Sequence, residues 1–296
     1  MKNFSKCSEE ERERILEEKK ENPFLSGKYF EEKYQYYATV ISQFFVKNHC
    51  TTRDLTGLRC RKYNVNDNYF SKIDSHEKAY LLGVWYSDGY LVIEGNNTKR
   101  IGLDVKDVDW LIDIGKELKS EAPLYKTNKE NLKRLKITSV KMYDDLIKLG
   151  CLEHKTFLLD FPQNNQVPFE FLNSFILGLL DGDGSITIAT PRKEGQSPEI
   201  QMTFTGTKQL LEGIQKYLGI TNLKLYQRWA ERNNNNYTLQ IAGTKRVASI
   251  LTLLYKNAPA FCLKRKKDKY EKIINDSRIK SKDLMLIPAN PYDNGV

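Results

Sequence analysis

Two aspartates stand at the same place in a repeated segment of the sequence. Asp88 lies near the end of LLGVWYSDG (81–89) and Asp183 near the end of ILGLLDGDG (176–184), and 183 − 88 gives a spacing of 95 residues. Each precedes a glycine, which commonly takes the left-handed conformation just after a helix. Each carboxylate is therefore expected at a helix C-terminus, where the helix dipole disfavours negative charge by about 0.3–1 kcal/mol.

This unfavourable placement is explained if a cation binds at the two acids. Carboxylate and carbonyl oxygens are the donors that Mg²⁺ and other hard divalent cations prefer. Metals held by a pair of acids can activate water and stabilise the leaving oxygen of a phosphodiester. A lone Asp–Gly pair is more typical of a turn, but the duplication favours a metal-dependent hydrolytic site.

The segments that carry these aspartates are predicted to be helices that pack against each other. Gly83 with Ser87, and Gly178 with Gly182, place small residues four apart on one helix face. Such small residues let two helix backbones approach closely. This packing would bring the two carboxylates together.

The similarity between the two copies extends beyond these helices. Each copy is predicted to contain a helix, two strands, a helix, two strands and a helix, in that order. The sequence therefore predicts an α+β fold of two pseudo-symmetric repeats with antiparallel sheets, a pseudo-dimer within one chain. The predicted organisation is a helical N-terminal region (1–70), a first repeat (71–160), a linker (161–167), a second repeat (168–276) and a tail (277–296).

The N-terminal region is predicted to be helical throughout. Residues 8–21 (SEEERERILEEKKE) predict a helix with Ser8 as its N-cap, and a second helix is expected over about 29–47. A short basic helix containing Arg59 and Arg61 should follow. Two interpretations remain open: a helix-turn-helix that binds DNA, with Arg53 near its basic helix, or a helical subdomain that only packs.

Composition narrows the class of protein. The net charge is +9 and the pI about 9.1, and residues 256–282 hold ten Lys and Arg against three Asp and Glu. A basic segment of this kind favours binding to a phosphate backbone. No apolar run is long enough to cross a bilayer, and no secretory signal is apparent. The five cysteines form no CxxC pair, so we expect a reduced intracellular compartment.

The segments LLGVWYSDG and ILGLLDGDG resemble the two motifs of single-chain LAGLIDADG homing endonucleases, and the resemblance covers roughly residues 74–275. It implies two saddle-shaped antiparallel sheets that bind double-stranded DNA, and a monomeric enzyme that uses Mg²⁺ or Mn²⁺. Position six of the motif, which varies in the family, is Tyr86 in the first copy and Asp181 in the second.

The resemblance also assigns roles to individual residues. It implies metal binding by the carboxylates of Asp88 and Asp183, and by the main-chain carbonyls of Ser87 and Gly182. It further implies one lysine near each scissile phosphate, where an ammonium can offset developing charge. The candidates are Lys155 for the first copy and Lys266 for the second, with Lys264 as the alternative in register.

Polar residues on the predicted strands form the candidate DNA-reading surface. Arg, Lys, Gln and Thr alternate with apolar residues, and these side chains suit base edges and phosphates in a major groove. Asp104 and Glu199 are the acidic exceptions. The predicted DNA-binding residues of the strands and of the basic segment are Arg134, Lys136, Gln201, Thr203, Lys224, Arg228, Gln240, Lys264 and Arg265.

The leading functional hypothesis is a site-specific endonuclease that hydrolyses both strands of DNA with a divalent metal. One alternative is a non-cleaving DNA-binding regulator on the same fold, which would be expected to have lost one or both motif acids. The other is an RNA-splicing maturase on the same scaffold. We expect the protein to be a monomer in the cytoplasm or nucleoid, without membrane association. A phage or an organelle is a candidate source of its gene.

Overall fold

The chain divides into two units, which we describe separately. The structure is a computed structural model that describes residues 1–52, 63–95, 98–153, 158–189, 199–227 and 235–292. The first unit comprises Met1–Asn66 with Lys119–Ala122, and the second comprises Asp67–Leu118 with Pro123–Val296. Within the described residues, no helix has the length and apolar character needed to cross a membrane.

The first unit contains three described helices, α1 (Glu9–Glu21), α2 (Gly27–Tyr34) and α3 (Ala38–Lys47). The predicted N-cap of α1 is confirmed, because the Ser8 side chain accepts a hydrogen bond from the Glu11 N–H. The buried core of this first unit is predominantly aromatic and aliphatic, with Ile15, Phe30, Tyr36, Ile41 and Phe45. The predicted basic helix with Arg53, Arg59 and Arg61 lies outside the described residues.

The prediction of one continuous helix over 29–47 is wrong. The chain leaves the helical conformation at Gln35, which is left-handed with φ of 63°. Directly after this break, the hydroxyl of the buried Tyr36 donates to Glu11 Oε2 at 2.7 Å. The apolar pattern continues through the break because both helices bury one face, so the pattern alone does not reveal it.

The second unit contains the two predicted repeats, and their element order is confirmed. The first consists of α4 (His76–Ser87), β1 (Gly89–Glu94), β2 (Thr98–Val105), α5 (Val108–Glu117), β3 (Tyr125–Lys126), β4 (Lys133–Thr138) and α6 (Val140–Lys148). The second consists of α7 (Leu172–Asp181), β5 (Ser185–Ala189), β6 (Glu199–Gly206), α8 (Lys208–Leu218), β7 (Leu225–Gln227), β8 (Tyr237–Ala242), α9 (Thr244–Tyr255) and the basic helix α10 (Lys264–Ile274).

Each repeat forms one four-stranded antiparallel sheet, and the strand orders correspond. The first sheet has the order β1-β2-β4-β3 and the second β5-β6-β8-β7. One face of each sheet is apolar and buried, as Leu103 opposite Leu135 and Phe204 opposite Leu239 show. Side chains alternate along a strand, so the polar residues share the other face. The α+β fold predicted from the sequence is thereby confirmed.

The motif helices α4 and α7 pack against each other, as predicted. A Cβ on Gly83 would overlap the carbonyl oxygen of Phe175, and a Cβ on Gly178 would overlap the carbonyl oxygen of Tyr80. Every residue of α7 is buried, as are all residues of α4 from 79 to 86. This central helix pair fixes where the two motif ends meet.

Candidate active site

The candidate active site lies where α4 and α7 end. Asp88 is the C-cap of α4, and its N–H donates to the Val84 carbonyl at 3.0 Å. A Cβ placed on Gly182, the C-cap of α7, would overlap the Ser87 side chain and lie 3.3 Å from Asp88 Oδ2. The Asp88 carboxylate therefore lies against the backbone that leads directly into Asp183, whose side chain is exposed.

The end of α7 is held by one lysine from α10. Lys266 is 2% exposed, and its ammonium donates to the carbonyls of Leu180, of Asp181 at 2.8 Å and of Gly184 at 2.7 Å. The Gly182 carbonyl, a predicted metal ligand, accepts from the same ammonium at 3.3 Å. Helix ends normally leave their last carbonyls without an intrahelical donor. Lys266 supplies donors to the end of α7.

Burial and charge act in opposite directions on this ammonium. Burial lowers the pKa of Lys266 to about 8, and the charge of Arg265 adds to that effect. The carboxylates of Asp181, Asp88 and Asp183 oppose it. Both motif aspartates therefore lie within electrostatic reach of one buried cation.

A buried hydrogen-bond network surrounds Asp181, the residue at motif position six. Its Oδ2 accepts from the hydroxyl of Tyr80 at 2.7 Å and from the N–H of Leu263 at 2.9 Å. Trp110 Nε1 donates to the same Tyr80 hydroxyl at 3.1 Å. Burial raises the pKa of Asp181 to about 6. The network connects the motif helices to Leu263, the residue just before α10. Helix α10 in turn carries Lys266.

The first repeat replaces this carboxylate by a phenol. Tyr86 is buried, and its hydroxyl donates to the Leu149 carbonyl at 2.7 Å. Sequence reasoning recognised Asp181 only as a variable motif position and did not identify Tyr80 at all. The available signal was an ionisable residue inside the apolar run ILGLLD, which requires a buried partner.

The candidate lysines differ in their surroundings. Lys266 is buried on the main chain, whereas the alternative Lys264 is exposed and pairs with Asp268 at 2.7 Å. Arg265 pairs with Asp107 at 3.1 Å. Lys155 lies outside the described residues.

The polar face of the first sheet carries charged residues in pairs. Arg134 forms a two-pronged hydrogen bond with Asp104, and Lys136 pairs with Glu94 at 2.6 Å. Glu94 also pairs with Arg100. The predicted DNA-binding residues Arg134 and Lys136 thus share this face with acidic partners.

The polar face of the second sheet carries hydroxyls and amides instead. Gln201 lies beside Thr187 and Thr203 lies beside Gln240 in the strand register. The Ser185 and Thr203 hydroxyls form a hydrogen bond at 2.8 Å. Lys224 is exposed just before β7, and Arg228 lies outside the described residues.

The site offers oxygen donors only. Within the described ranges, no group of three or more His, Cys, Asp or Glu side chains is arranged to hold a metal. The candidate donors implied by the family resemblance are the carboxylates of Asp88 and Asp183 with the main-chain carbonyls of Ser87 and Gly182. This set fits a hard divalent cation. The hydrogen bond from Lys266 leaves the second lone pair of the Gly182 carbonyl available.

One family model matches part of the chain. Residues 176–281 match the family model described as LAGLIDADG endonuclease, a segment that runs from the second motif through α10. This match confirms the predicted resemblance for the second motif. No curated protein sequence matches the chain.

Several solved structures are similar to this chain. Meganuclease I-SmaMI bound to uncleavable DNA shares 10% identity over 66% of this chain and 88% of its own, with a TM-score of 0.48. The I-LtrWI LAGLIDADG homing endonuclease bound to target DNA shares 13% over 74% and 95%, with a TM-score of 0.44. LAGLIDADG meganuclease I-CpaMI bound to uncleaved DNA shares 14% over 69% and 92%, with a TM-score of 0.46.

Proposed function

We propose that this protein is a site-specific DNA endonuclease that hydrolyses both strands of its target with a divalent cation. The observation that carries the proposal is the contact between the two motif ends. There the Asp88 carboxylate lies 3.3 Å from the position of a Gly182 Cβ, one residue before Asp183. This contact supports a site in which the Asp88 and Asp183 carboxylates act together.

The protein's own residues position the reacting groups. Asp88 and Asp183 would hold Mg²⁺ or Mn²⁺ with the carbonyls of Ser87 and Gly182. The cation supplies activation of water and charge stabilisation at the leaving oxygen. Lys266 and Asp181 fix the end of α7, so that the main chain on both sides of Asp183 is held in place before DNA binds.

The two sheets provide the DNA surface, one for each half of the target. A polar face on each sheet, next to the ends of the motif helices, suits contacts in successive major grooves. Since both half-sites are bound by one chain, the protein acts as a monomer, and the two halves of the target need not be identical.

The N-terminal region (1–70) has one of two roles in this proposal. It extends the DNA footprint, or it stabilises the remainder of the chain. Its small net charge weakens the first role, since residues 1–70 hold thirteen Lys and Arg against eleven Asp and Glu and a DNA-binding domain is usually more basic. A chain that starts near Asn68 distinguishes the two: a shorter footprint supports the first role, and a lower melting temperature the second.

The proposal is tested with supercoiled plasmid that carries the uninterrupted host locus of the gene. We expect linear plasmid with Mg²⁺, none with EDTA, and none with the Asp88→Asn/Asp183→Asn variant. Specific binding to this DNA without cleavage by the unaltered protein would indicate the non-cleaving regulator instead. Selective binding to the corresponding intron RNA, without DNA cleavage, would indicate the maturase.

A further inference from the structure

The two sheets share one register but carry different side chains at one pair of positions. Asp104 lies opposite Arg134 on β2 and β4, and Thr205 lies opposite Thr238 on β6 and β8. Both pairs face away from the buried side of their sheet. The first repeat thus has an ion pair where the second repeat has two hydroxyls.

The Arg134 side chain is fixed from two sides. Its Nε donates to Asp104 Oδ1 at 2.7 Å, and its Nη2 donates to Asp104 Oδ2 at 2.6 Å. Its guanidinium also lies 5.7 Å from the centre of the Tyr90 ring. That ring occupies the space above Gly102, where a Cβ would overlap it. An arginine held in this way loses little side-chain entropy when it binds a further group.

Counting donors shows what the fixed arginine can still bind. A guanidinium has five N–H groups, and the Asp104 carboxylate uses one on Nε and one on Nη2. The Nη1–Nη2 edge remains, with two parallel N–H groups. The Arg134 side chain is 38% exposed in this pair, so a ligand can approach it. Two parallel donors match the O6 and N7 acceptors of guanine in the major groove.

The charge of Asp104 favours a base over a phosphate at this edge. A phosphate placed there would be repelled by the carboxylate that already neutralises Arg134, whereas a neutral base would not. A neighbouring cleft of about 360 Å³ is lined by Asp104, Arg134 and the β3–β4 hairpin, including Lys126 and Lys129. Those lysines suit the adjacent backbone phosphates.

We propose that Arg134, held by Asp104 and Tyr90, selects a guanine in the half of the target that the first repeat binds, and that the second repeat makes no such selection at its equivalent position. The proposal rests on the function proposed above, in that DNA lies on the polar faces of both sheets. It assigns the two half-sites unequal base requirements.

The test is selection from randomised duplex DNA by the cleavage-inactive Asp88→Asn/Asp183→Asn protein. We expect one position of the selected site to be guanine, with a preference of about 10- to 100-fold over other bases. Arg134→Gln should abolish the preference at that position and leave the others intact. Asp104→Asn should weaken the same preference, because the arginine is then less firmly held.

A gain-of-function variant keeps the test independent of any loss of folding. Thr205→Asp with Thr238→Arg rebuilds the ion pair in the second sheet at the same register, and should create a guanine preference in the other half-site. Lys116→Gln is the charge control, because Lys116 lies on α5, is largely exposed and pairs with Asp113. It should leave every base preference unchanged.

The outcomes separate this proposal from the function on which it rests. If the unaltered protein selects a defined site but Arg134→Gln changes no base preference, the guanine assignment is wrong and the proposed function stands. The same holds if Arg134→Gln reduces only the salt dependence of binding, which would indicate a phosphate contact. If no DNA sequence is selected at all, the proposed function fails and this assignment fails with it.

Discussion

Gly83 and Gly178 are related reciprocally across the two motif helices. A Cβ on Gly83 would overlap the carbonyl oxygen of Phe175, and a Cβ on Gly178 would overlap that of Tyr80. Tyr80 and Phe175 are themselves 175 − 80 = 95 residues apart, the spacing of the repeat. Each glycine therefore makes the same contact from its own side of a pseudo-twofold axis, and α4 and α7 approach at backbone distance.

This contact predicts a large loss of stability when either glycine gains a methyl group. Gly83→Ala and Gly178→Ala should each lower the free energy of unfolding by about 3 kcal/mol, because the helices must separate along buried surface. Gly115→Ala on α5 is the matched control, since a Cβ there meets nothing within 4 Å. It should raise stability by about 0.5–1 kcal/mol through helix propensity. Urea unfolding would measure all three, and equal effects would contradict the packing.

The repeat and its element order could be predicted because both copies keep the same motif and the same order of strands and helices. The local apolar pattern predicted the wrong helix boundaries where a tertiary contact accompanies the break. The break at Gln35 interrupts an apolar pattern that is compatible with one helix, and it leads into Tyr36, whose hydroxyl binds Glu11. No periodicity within 29–47 encodes that contact.

The contacts that the site residues make could not be predicted from the sequence either. The family resemblance implies a role for Lys266, but it does not show that the four carbonyl acceptors of Lys266 lie 82–86 residues earlier in the chain. Asp104 was an acidic exception on a basic face, and only the strand register shows that it faces Arg134. Such pairings depend on the fold, not on neighbours in the chain.

Asp88→Asn and Asp183→Asn should each abolish double-strand cleavage while DNA binding is retained. Removing a carboxylate removes a metal donor, and it also relieves repulsion against phosphate, so affinity should hold or rise. Cleavage of supercoiled plasmid and a binding titration in Ca²⁺ would separate the two effects. Wild-type rates of linearisation by both single variants would contradict the assignment of the active site.

Replacing Lys266 should lower the stability of the folded protein. Lys266→Met leaves the carbonyls at the end of α7 without their donor in a buried site, and should lower the free energy of unfolding by about 3 kcal/mol. Lys264→Met is the control, because Lys264 is 84% exposed and its pair with Asp268 lies at the surface. It should leave the free energy of unfolding almost unchanged. A Lys266→Met protein as stable as this control would show that the carbonyl contacts contribute little.

His76 should make the folded state less stable in mild acid. It begins α4, contacts Ser174 Oγ at 2.9 Å and packs edge-on against Phe171. Burial lowers the pKa of His76 below its usual 6.5, and the carboxylates of Glu77 and Glu170 oppose this effect only in part. The unfolded chain therefore takes up the proton first as the pH falls.

The sign of the effect follows from that order of protonation. The contribution of His76 is complete above pH 6.5 and declines as the pH falls toward the lower folded-state pKa. Relative to His76→Gln, we expect the unfolding free energy of the unaltered protein to drop as the pH falls below about 6.5. In His76→Gln that component should be absent. Parallel pH profiles for the two proteins would rule out a role for His76.

The basic helix α10 should make DNA binding strongly dependent on salt. Each phosphate contact contributes about 0.9 to the slope of log affinity against log salt concentration. Replacing Lys264, Arg265 and Lys267 together by Gln should flatten that slope by up to about one unit per lost contact.

Lys264 and Arg265 already pair with Asp268 and Asp107, so both must exchange a carboxylate for a phosphate when DNA binds. That exchange makes their part of the change smaller than that of Lys267. Lys208→Gln on α8 removes a charge from a helix on the covered side of the second sheet and should leave the slope unchanged. A triple variant with the slope of this control would mean that α10 faces solvent in the complex.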